Sequence, residues 1–121
     1  MKNKKTLIVG ASTNPERYAY KAANALVKHG YEIENLGTKK GEVAGKEISQ
    51  GTPELENIHT ISLYIGAAHQ PPMYDYLMQL KPQRIIFNPG TENHEFQKLA
   101  KQAGIQTLEA CTLVLLATNQ Y

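Results

Sequence analysis

The 121-residue chain has no tryptophan, only two phenylalanines and a single cysteine, Cys111. A lone cysteine excludes an intrachain disulfide and any multi-cysteine metal site. No segment approaches the ~20 apolar residues that cross a bilayer, so no membrane partner is expected. The opening "MKNKKTLIVG" is basic and then apolar, but its apolar run stops at Val9, too short for a secretory signal. Blocks of like charge are missing and the formal net charge is only +2, which argues against a nucleic-acid track. Repeats, low-complexity tracts and linkers are missing as well. Together these absences point to one cytoplasmic, soluble domain over residues 1–121, long enough to bury its own core.

Signatures of catalysis are also lacking. There are no paired carboxylates, no Ser-His-Asp arrangement and no G-x-x-x-x-G-K phosphate loop. The dinucleotide fingerprint G-x-G-x-x-G fails as well, because Gly10 is followed by Ala11, Ser12, Thr13, Asn14 and Pro15. His94 has no second histidine or carboxylate spaced to share a metal, so no metal site is expected. His29 and His59 fall at element ends. Cys111 has no base at short spacing and reads as a buried structural residue. The chain reads as a binding domain rather than an enzyme.

What is present is an alternation of strands and helices. Residues 6–9, "YEIENLG", "HTISLYIG", "QRIIFN" and "IQTLEA" read as five strands. Between them, residues 17–29 place Ala19, Ala22, Ala23, Leu26 and Val27 on one helical face, and Gly30 stops the helix. "QPPMYDYLMQL" starts with prolines, as first helical turns do, and aligns Met73, Tyr76, Leu77 and Leu80. "TENHEFQKLAKQAG" aligns Phe96, Leu99, Ala100 and Ala103. The stretch "TKKGEVAGKEISQGTPELENI" reads as loop with a short helical turn near Pro53. The tail "CTLVLLATNQY" fits helix or strand. Such alternation predicts a single Rossmann-like α/β/α domain with a five-stranded parallel sheet, strand order 3-2-1-4-5. Its ligand crevice would lie beyond the carboxyl ends of the strands, at the reversal between strands one and four.

That rule selects the loops worth weighing. In "GASTNPER", Gly10 allows close backbone approach, Ser12 and Thr13 supply hydroxyls, and Arg17 a charge at a helix start that favours anions. The competing reading is a tight turn with a cap. In "LGTKKG", Thr38, Lys39 and Lys40 stand where NAD-binding domains carry an acid for the ribose. A lysine there attracts a phosphorylated ribose, as in NADP or coenzyme A, unless the turn is merely solvated. In "IGAAHQPP", Gly66, Ala67 and Ala68 leave room for a slender ligand arm; His69 is either an acid/base group or a cap. In "NPGTEN", Glu92 and Asn93 either face the ligand or cap the next helix.

Three segments carry a family resemblance: "VGASTNPERYAYKAANALVKHGYEI", "KKGEVAGKEI" and "NPGTENHEFQKLAKQAGIQTLEACTLV". Together they make the chain similar to the small stand-alone bacterial CoA-binding proteins, Rossmann-like domains related to the CoA-binding domain of succinyl-CoA synthetase alpha subunits. The resemblance covers nearly the whole chain. It implies that Gly10, Ala11, Ser12 and Thr13 contact the CoA pyrophosphate with Arg17 close by. It also implies that Lys39 or Lys40 sits near the 3′-phosphate and ribose. Ile65, Gly66, Pro89 and Gly90 would flank adenine and pantetheine. Two departures stand out: Gly37-Thr38 replaces an Asn-Pro common in relatives, and "GAAHQPP" replaces a charged or aromatic segment. The domain carrying the phosphorylated histidine of the ligase is missing, so ligase activity is not expected.

The resulting expectation is non-catalytic binding of CoA or an acyl-CoA by a monomer or homodimer, with a nucleotide as the small-molecule partner. Two other readings stay open from the residues alone. One is an NADP-dependent oxidoreductase or sensor. The other is an interaction module with a vestigial nucleotide site and the apolar "TLVLLA" at a dimer contact.

Overall fold

The structure is a computed structural model and describes residues 2–121; residue 1 of the expected domain lies outside them. The first strand, β1 (Lys2–Val9), leads into helix α1 (Tyr18–Lys28) and strand β2 (Tyr31–Leu36). A hairpin follows, β3 (Glu42–Val43) and β4 (Lys46–Ser49). Then come β5 (Thr60–Leu63), two short 3-10 turns, α2 (Tyr74–Gln79) and β6 (Arg84–Phe87). The chain closes with α3 (His94–Gln102), β7 (Gln106–Glu109) and α4 (Thr112–Ala117). The ambiguous tail is therefore helical in its first half.

The sheet is mixed, dominated by parallel pairs, and has seven strands in the order β3-β4-β2-β1-β5-β6-β7. Two expectations are corrected here. Residues 42–49 form a hairpin whose β4 pairs parallel with β2, where a loop was expected, and no helical turn forms near Pro53. The third expected strand, β5, lies beside β1 on the far side from β2, so the order 3-2-1-4-5 does not hold. Burial explains the placement: all four residues of β5 are buried, as a strand covered on both faces requires. The hairpin takes the position beside β2 instead. The reversal point consequently falls between β1 and β5, not between the first and fourth expected strands.

Each face of the sheet has its own core. Leu7, Val9, Leu63, Ile85 and Phe87 point toward Leu77 of α2 and Phe96 and Ala100 of α3. Ile8, Ile33 and Ile86 alternate with them and meet Ala19, Ala23 and Leu26 of α1 and Leu116 of α4. Phe96 is fully buried, stacked on Tyr74 at 4.5 Å and edge-on to Phe87 at 5.7 Å. Burying such a ring contributes about 1.5–3 kcal/mol. Val27, expected on the core face of α1, is 43% exposed instead. Small alanines on the other positions let α1 lie close to the sheet, which sets its first turn directly over the carboxyl end of β1.

Candidate functional site

The carboxyl ends of the strands open into one cleft of about 1210 Å³. It runs from the turn after β2 to the start of α4 after β7.

Glycines knit its floor together. Gly10 has φ +94°, and both its amide and that of Ala11 donate to the Leu36 carbonyl, at 2.9 and 3.0 Å. A Cβ on Gly10 would lie 3.0 Å from the Tyr64 carbonyl oxygen and 2.9 Å from Ile65 Cγ2. The loop after β1 therefore touches the loop after β5 through bare backbone. Gly37 approaches the Ala11 carbonyl so closely that a Cβ would come within 2.7 Å of it, and a Cβ on Gly41 would collide with Thr13. The basic turn is thus laid flat against the first loop at both of its ends. Gln50 Nε2 holds its crest by donating to the Thr38 carbonyl at 2.7 Å.

With the amides of Gly10 and Ala11 taken by Leu36, the first loop keeps those of Ser12 and Thr13 and of the first turn of α1 without a partner among the described residues. Asn14 organises the turn: its carbonyl accepts from the Arg17 amide at 3.0 Å and its Oδ1 from the Glu16 amide at 3.0 Å. Ser12 Oγ accepts from the Asn14 amide at 3.1 Å. Arg17, the N-cap of α1, makes no side-chain cap, and the first turn holds no acid. The first amides of α1 thus keep the partial positive charge of an open helix end. Arg17, Lys39 and Lys40 are exposed and line the cleft, together with one acid, Glu16. Ion pairs among the described residues join Lys5 and Lys46 to Glu32 and Glu34 and involve none of those three cations.

The loop after β6 is closed by contrast. Asn93 Oδ1 accepts from the Phe96 amide at 3.1 Å and caps α3. Asn93 Nδ2 donates to Gln70 Oε1 and Tyr74 Oη, at 2.9 and 2.8 Å. Buried Gln70 donates to the carbonyls of Ile65 and Thr91 and so ties this loop to the one after β5. Glu92 accepts from the Gly90 amide at 2.9 Å. Of the two roles open to Glu92 and Asn93, the turn-closing and capping role is the one observed. His69 ends a 3-10 turn, exposed, at the cleft edge.

The residues expected from the family resemblance and the basic turn line this cleft, Gly10 to Thr13, Arg17, Thr38 to Lys40, Ile65, Gly66, Pro89 and Gly90, whereas Ala67, Ala68, Glu92 and Asn93 do not. Sequence reasoning missed Tyr64, Met73, Thr91 and Leu113, which line it too, as does Asn88 of the turn expected at the switch point. Cys111, expected to be buried, is half-buried and lines the cleft because α4 begins immediately after it. Burial pushes the Tyr64 phenol up to about 12, so it stays protonated at neutral pH. Among the described residues no group of three or more His, Cys, Asp or Glu side chains is placed to hold a metal ion. No helix among them is long and apolar enough to cross a membrane.

A family model described as CoA binding domain matches residues 4–117. The chain belongs to this family. A protein of uncharacterized function known from its crystal structure is 45% identical, with all of both chains covered and a TM-score of 0.96. A hypothetical protein from Pyrococcus horikoshii OT3 is 25% identical, with TM-score 0.84, over 93% of this chain and 81% of that one. A Thermus thermophilus protein at 20% identity, covering 98% of this chain and 91% of its own, shares the fold with TM-score 0.83. No curated protein matches. Membership of the CoA-binding family fits a long cleft with cations at one end and mostly apolar walls at the other.

Proposed function

We propose that the protein binds coenzyme A or an acyl-CoA without transforming it. The observation that carries this reading is the pairing of the open start of α1 with the basic turn after β2. Three cations that join no ion pair among the described residues and the uncapped start of α1 line one cleft in a CoA-binding family member. The pyrophosphate lies against Gly10, Ala11, Ser12 and Thr13, with Arg17 alongside. The 3′-phosphate lies at Lys39 and Lys40, with Thr38 beside the ribose. Adenine and the start of the pantetheine arm pass Ile65, Gly66, Pro89 and Gly90.

Hydrogen bonds to charged groups contribute about 1.5–3 kcal/mol each, and each 1.4 kcal/mol is about tenfold in affinity. A thermal-shift panel of CoA, acetyl-CoA, dephospho-CoA, NAD and NADP tests the reading. CoA and acetyl-CoA raise the midpoint most, and dephospho-CoA clearly less. A shift with NADP and none with CoA overturns it.

A further inference from the structure

A buried polar cluster below the cleft is used by none of the roles assigned so far. Asn88 follows β6 and is 2% exposed. Its Nδ2 donates to Ser62 Oγ and to the Leu63 carbonyl, both at 2.9 Å. Its Oδ1 accepts from the Thr112 backbone amide at 2.8 Å. Ser62 Oγ and Thr112 Oγ1 are joined at 2.8 Å, and both residues are fully buried. One side chain therefore binds β5, β6 and the first residue of α4. Both of its polar ends are consumed by the protein, so it has little left to offer a ligand.

What Asn88 fixes is the far wall of the cleft. Cys111 and Leu113 flank Thr112 and line that wall. Helix α4 has only six residues and no side-chain cap, so its own hydrogen bonds hold its start weakly. Helix α4 packs back on α1, and Thr112 sits against Ser62 of β5, one strand beyond β1 from the basic turn, so this wall adjoins the start of α1 on its side away from that turn. A nucleotide anchored by its phosphates at β2 and β1 thus sends its uncharged arm toward α4.

We propose that Asn88 is a positioning residue: by holding the Thr112 amide it sets the α4 wall against which the pantetheine arm of CoA packs. This rests on the CoA reading above. It predicts that the two halves of the ligand respond differently when the pin is removed.

The test compares CoA with adenosine 3′,5′-bisphosphate, which keeps the 3′-phosphate but lacks the arm. Both are titrated calorimetrically into wild type, Asn88→Leu and Thr112→Pro. Proline suits the first position of a helix, and Cys111 already has the extended geometry (φ −99°, ψ 119°) that a following proline needs. The second variant thus removes the amide donor without a backbone conflict, and circular dichroism confirms that it folds. The expected result is a loss of roughly tenfold for CoA and a change of less than about twofold for the bisphosphate. Equal losses for both ligands, or no loss for CoA, overturn the role of Asn88 and leave the CoA reading standing. Failure of wild type to bind either ligand overturns the CoA reading and this inference together.

Discussion

Two strand-to-helix turns lie on either side of β5 in this protein, and they end differently. After β1, the chain enters α1 through Gly10 to Arg17 with no side-chain cap and no acid in the first turn. After β6, it enters α3 through Asn88 to Asn93 with a cap, a buried glutamine and a glutamate closing every connection. Both read in sequence as a glycine-containing turn before a helix. The first leaves the start of α1 without a side-chain acceptor, and the second supplies one at Asn93. The difference is what favours the start of α1 over that of α3 for the anion in the proposed reading.

The comparison can be broken most severely at Gly10. Gly10→Ala places a side chain in the left-handed region and against the Tyr64 carbonyl. A loss of about 2–3 kcal/mol is expected, with CoA affinity falling as the loop lifts, both read by denaturant titration and calorimetry. Asn93→Ala strikes the other turn. It removes the cap and two side-chain bonds, for a loss of about 1–3 kcal/mol, while CoA affinity stays within about twofold of wild type. A large affinity loss in Asn93→Ala would erase the distinction between the turns.

Smaller effects sharpen it. Replacing Lys39 and Lys40 together by alanine leaves stability within about 0.5 kcal/mol, as exposed side chains should. CoA affinity drops about tenfold or more, and dephospho-CoA affinity does not follow it. Arg17→Ala lowers the affinity for both ligands alike, since it serves the pyrophosphate they share, again with little change in the unfolding midpoint. Unchanged affinity in Arg17→Ala removes that residue from the site.

The sheet-forming segments were readable because Leu7, Val9, Ile85 and Phe87 alternate cleanly with residues of the other face. The hairpin was not, since strands of two and four residues are too short to show a period. Its position also depends on buried Asn35 donating to the Val43 and Lys46 carbonyls, contacts no local pattern reports. The place of β5 was hidden for a related reason. Thr60 and Ser62 suggest an exposed face, yet they are buried against Arg84 and Thr112, which lie far along the chain.

At the cleft, glycines and lysines at strand ends were enough to select residues that line it. The α4 wall escaped because "CTLVLLA" has the same apolar character whether it packs as strand or helix. Cys111 was placed in the interior by its residue type, although the helix start beside it turns it toward the cleft.

Backbone amide chemical shifts during a CoA titration test the central contrast most directly. The account predicts the largest shifts at Gly10 to Tyr18 and at Thr38 to Gly41, with the capped amides of Asn93 to Phe96 unmoved. Shifts concentrated at the start of α3, or none at the start of α1, would contradict it.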